Sequence, residues 1–66
     1  MSVDLEVAFR YRQHAEELRV IAAESPSAEI RKSLLDIAAD YEQMAVSLET
    51  IAKSNAALAS RIRPRE

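Results

Sequence analysis

Cysteine, glycine and tryptophan are absent from this 66-residue chain, and proline occurs only twice. Without cysteine there is no disulfide staple, no thiolate nucleophile and no zinc-type Cys/His set. Without glycine there is no phosphate-cradling loop, and almost no turn chemistry outside the two prolines. No apolar run approaches the roughly 20 residues that a membrane helix needs, and the start, MSVDLEV, lacks the basic flank and apolar core of a secretory signal. These features place the chain in the cytoplasm as an expectation. Eleven acidic and nine basic residues leave a net charge of -2, too weak a field to select nucleic acid or anionic lipid by itself.

What remains is alanine, leucine, glutamate and arginine, a helix-forming composition. The expected fold is all-α, a single domain over 1–66 with a short basic tail at 61–66. A chain of this size buries only about 60% of its unfolded surface. Below roughly 70 residues the remedies other than staples and metals are oligomerisation or very regular helix packing.

The periodicity supplies that packing. Leu34, Ile37, Tyr41, Met44, Leu48, Ile51, Asn55, Leu58 and Ile62 recur at alternating steps of three and four, the seam of a coiled coil or helical bundle. Val7, Tyr11, His14, Leu18 and Ile21 repeat the pattern in the first part of the chain. Alanines sit beside both stripes, at 8, 15 and 22 and at 38, 45, 52 and 59, so that a second helix can approach closely there.

The only interior break is Glu24-Ser25-Pro26-Ser27. Ser25 can cap a second helix whose first turn holds Pro26, and the residue before proline is pushed out of the α region, which ends the first helix. The reading is an antiparallel two-helix hairpin, about 3–24 and 26–62. Its expected core is Val7, Tyr11, Leu18, Ile21, Leu34, Ile37, Tyr41 and Met44, with Tyr11 near Tyr41.

The helices differ in length, and an antiparallel pairing leaves about 15 residues of the second uncovered, from Glu49 onward. Leu48, Ile51, Ala52, Asn55, Leu58, Ala59 and Ile62 are therefore expected to meet a second chain. Ile51, Leu58 and Ile62 are each worth on the order of 1.5–3 kcal/mol when buried. The expectation is a homodimer, as a four-helix-type bundle or a coiled coil joined along the second helix. With Leu34, Tyr41, Leu48, Asn55 and Ile62 at heptad position a, Asn55 either pairs with its twin or faces water.

Candidate chemistry is sparse. His14 has Glu17 one turn on and Tyr11 one turn back. As a metal ligand it has the reverse of the Glu-x-x-His order used in di-metal bundles, so an edge histidine bonded to Tyr41, a carboxylate or water is the plainer reading. Arg61, Arg63 and Arg65 form the one charge cluster and could touch phosphate, but no aromatic or base-reading set accompanies them. No nucleophile with an adjacent base is spelled out. The expected function is thus a non-enzymatic helical interaction and oligomerisation module, an adaptor or regulatory subunit for another protein, with no cofactor. The alternative is a small nucleic-acid-associated regulator acting through the terminal arginines, and after it a metal- or ligand-binding bundle.

The stretch YRQHAEELRVIAAE, a Ser-Pro turn and RKSLLDIAADYEQMA, from Tyr11 to Ala45, resembles a family of short uncharacterised helical-hairpin proteins of alphaproteobacteria. Tyr11, Arg12, Ala15, Glu16, Glu17, Leu18, Arg19 and Ala22 carry the first half of the resemblance. Arg31, Leu34, Leu35, Ala38, Tyr41, Glu42 and Ala45 carry the second. It implies a hairpin and no activity, and the heptads after Glu49 lie outside the shared pattern.

Overall fold

A computed structural model describes residues 3–61 and consists, over that span, of two α-helices joined by a three-residue connection, α1 (Val3–Glu24) and α2 (Ala28–Arg61). They pack against each other as an antiparallel hairpin. Among the described residues there is no strand, and no helix is long and apolar enough to cross a membrane.

The connection works differently from the expected cap. Ser27, not Ser25, caps α2. Its Oγ accepts a hydrogen bond from the Ile30 N–H at 3.3 Å, and its carbonyl accepts the first α-helical bond, from the Arg31 N–H at 2.9 Å. Pro26 consequently stands outside α2 instead of in its first turn. Ser25 holds the turn from the other side. Its Oγ accepts the Ser27 N–H at 3.4 Å, its carbonyl accepts the Arg31 guanidinium at 3.0 Å, and its own N–H reaches back to the Ala22 carbonyl at 3.1 Å. Both helix ends at the turn thus find partners without glycine.

The seam also departs from expectation. Its fully closed residues are all alanines, Ala8, Ala15 and Ala22 from α1 and Ala38, Ala45 and Ala52 from α2. Tyr11 and Leu18, with Leu34, Tyr41 and Leu48, alternate with them and are half-buried, as is Val7 on their flank. The working stripe is therefore 34-38-41-45-48-52, still stepping by four and three but rotated toward the small residues. Ile21, Ile37 and Met44, expected in the hairpin core, are 54%, 45% and 41% exposed. The physical reason is distance. Helix axes approach according to the side chains between them, and methyl groups let backbone and Cβ atoms of both helices come into dispersion contact, which a row of isoleucines would prevent.

The overhang is shorter than expected. Glu49 is tied to α1, as described below, and Ala52 is only 8% exposed, so the hairpin itself uses Leu48 and Ala52. From Lys53 to Arg61 every residue of α2 is exposed. Asn55, Leu58 and Ala59 lie in this stretch, and Ile62 lies outside the described residues.

Candidate interaction face

The two long edges of the hairpin are chemically opposite. Along one edge, arginines seven apart on α1 meet glutamates seven apart on α2. Arg12 Nη1 donates to Glu42 Oε1 at 2.7 Å, while its Nε and Nη2 donate to Glu49 Oε2 and Oε1 at 3.1 and 2.6 Å. Arg19 Nη2 donates to the other Glu42 oxygen at 2.5 Å, and its Nη1 donates to Glu16 at 3.1 Å. The result is an alternating ladder, Glu49, Arg12, Glu42, Arg19, Glu16, with a two-bond fork at one end.

Hydrogen bonding to Arg19 holds the Glu42 carboxyl below the usual carboxylate range, and Arg12 does the same for Glu49. The same bonds hold both guanidiniums protonated above their ordinary value, Arg12 through Glu49 and Arg19 through Glu42. The ladder's side chains are 30–40% exposed where they cross between helices, so water screens them and their energetic weight is modest. Their structural weight is in fastening one edge of the hairpin, whose register the three-residue connection already limits. Sequence reasoning missed this ladder. Its signal was present, as two arginines and two glutamates at heptad spacing on facing helices.

The opposite edge is apolar. Ile30, Ile37, Met44, Ile51 and Leu58 follow one another at strict seven-residue intervals on α2, with exposures of 55%, 45%, 41%, 48% and 53%. The row is about 42 Å long at 1.5 Å per residue. Half-buried Val7, exposed His14 and exposed Ile21 hold the equivalent heptad positions on α1, so the row on that helix is interrupted by one histidine. Val7, Tyr11, Met44 and Leu48, with Gln43 and Ser47, line a shallow groove on this side. Midway along, the Tyr11 and Tyr41 rings lie 5.5 Å apart and tilted, as the sequence suggested, with His14 a further 5.5 Å from Tyr41. His14 Nδ1 is 3.3 Å from a Glu17 carboxylate oxygen one turn away.

Of the predicted partner-facing residues, Ile51, Asn55, Leu58 and Ala59 are open to a partner, whereas Leu48 and Ala52 are taken up within the hairpin. Arg61 is exposed at the end of α2, and Arg63 and Arg65 lie outside the described residues. Among the described residues no group of three or more His, Cys, Asp or Glu side chains is placed to hold a metal ion. Comparison with protein-family profiles, curated proteins and solved structures finds no match.

Proposed function

We propose that this chain is a non-enzymatic helical interaction module that self-associates as a homodimer and, in that state, serves another protein as a small adaptor or regulatory subunit. A cytoplasmic setting and a bundle-type assembly belong to the same proposal. The observation that carries it is the row Ile30, Ile37, Met44, Ile51, Leu58. Five large apolar side chains, each 41–55% exposed, stand in heptad register on the edge that the ion-pair ladder leaves free. Scattered surface hydrophobics are ordinary, but a continuous row at heptad spacing is what a partner helix reads.

Equilibrium sedimentation across a hundredfold range of concentration tests the proposal. A dimer mass reached at micromolar concentration is the expected result, and a monomer mass throughout would remove it.

A further inference from the structure

We infer that the occupant of the Ile30–Leu58 row is the same row of a second copy, running antiparallel, with the two-fold axis crossing α2 at Met44. This rests on the self-association proposed above and adds the geometry to it.

Three observations converge. First, α2 spans Ala28–Arg61, so Met44 lies at its midpoint, and the apolar row extends two heptads to either side. An antiparallel pairing about Met44 overlaps the two α2 helices completely, setting Ile30 against Leu58 and Ile37 against Ile51 of the second copy.

Second, the overhang demands it. Lys53–Arg61 projects past the start of α1 with every residue exposed. An axis parallel to the rod would gather both overhangs at one end, where neither α1 reaches and Leu58 could meet only its own twin. The perpendicular axis instead lays each overhang along the turn end of the other copy, where Ile30 and Ile21 stand 55% and 54% exposed.

Third, the flank of the row is asymmetric in charge. Its first half carries Glu29, Asp36 and Asp40, of which Asp36 pairs with Lys32. The second half carries Thr50, Ser54 and Arg61. In an antiparallel pair this flank faces itself reversed. Acidic residues then meet neutral ones, and Glu29 comes within a turn of Arg61 of the second copy, which favours association instead of opposing it.

The absence of cysteine makes the test clean. A nitroxide attached through Ser60→Cys, an exposed position, is read by pulsed dipolar spectroscopy on the full chain. The antiparallel dimer puts the two labels 32 residues apart along the rod, an axial separation of about 48 Å. A separation below about 30 Å with a dimer mass overturns the antiparallel geometry and leaves the self-association reading standing. No dipolar coupling with a monomer mass overturns both.

Cross-linking provides an independent readout. Under mild oxidation an equimolar mixture of the Ile30→Cys and Leu58→Cys chains is expected to form the mixed disulfide, and neither chain alone to link to itself. Self-linking of Leu58→Cys would contradict the inference.

Discussion

Two rows of heptad-spaced residues run along α2 one position apart, and they meet opposite fates. Ala38, Ala45 and Ala52 are closed against α1, while Ile37, Met44 and Ile51, each the immediate neighbour of one of those alanines, remain open. On hydrophobicity alone the outcome would be reversed. What decides it is that an antiparallel pair joined by three residues can close tightly on methyl groups, and tight closure turns the larger side chains outward. In the proposed dimer one helix would thus carry two interfaces of different character, one narrow and within the chain, one broad and between chains.

The largest test of this division is a charge on the open row. Ile51→Asp leaves the hairpin's helicity intact, because it spares the closed alanine row. It removes an apolar group, 48% exposed in one chain, from both copies of a dimer, a loss of about 1.5–3 kcal/mol per dimer. The dissociation constant measured by sedimentation should rise at least about 10-fold.

Enlarging the closed row attacks the other interface. Ala45→Leu forces the helices apart at a position with 0% exposure, and overpacking of this kind costs about 1–3 kcal/mol. Urea unfolding followed by circular dichroism should shift to a lower midpoint even at concentrations where association is saturated. If Ala45→Leu proved neutral and Ile51→Asp unfolded the chain, the assignment of the two rows would have to be exchanged.

The smallest effect belongs to the ladder. Glu42 and Glu49 have carboxyls held below their unfolded values by Arg19 and Arg12. Their contribution is therefore fully present above the ordinary carboxylate range and is lost as pH falls through the lowered folded values. The arginines stay charged throughout. Arg12→Ala should lower the thermal midpoint at pH 7 by less than Ala45→Leu does, and the gap from wild type should close in molar salt and at pH 2. A gap unchanged by salt or acid would mean that Arg12 acts through packing of its aliphatic stem.

Much of the hairpin was legible in the sequence because the signals were local and strong. The Ser-Pro break, the alternating three-four spacing and the composition all specify two helices and a short connection. The face turned inward was not legible in the same way. Ile37 and Ala38 both lie on the apolar stripe, and ranking residues by size favours Ile37, whereas the approach of two backbones favours Ala38. The cap was misplaced by two residues because proline is welcome at a helix's first position, yet Ser27 offered its hydroxyl to Ile30 one step beyond. The overhang was overestimated for want of the ladder. Once Arg12 is seen to hold Glu49, α1 visibly shields α2 as far as Ala52. Of the residues expected to face a partner, Ile51, Asn55, Leu58 and Ala59 are exposed in the hairpin.

An alanine side chain has no rotamers to surrender, so the joint between the two helices closes without freezing a single torsion among its six buried methyl groups. At those six positions the entropy lost is that of the backbone alone, and the three-residue connection keeps the loop to be closed short. The hairpin should therefore snap shut early and locally, as low-contact-order helical pairs do. Joining a second molecule would then be a separate, slower event, visible as a concentration-dependent phase in refolding.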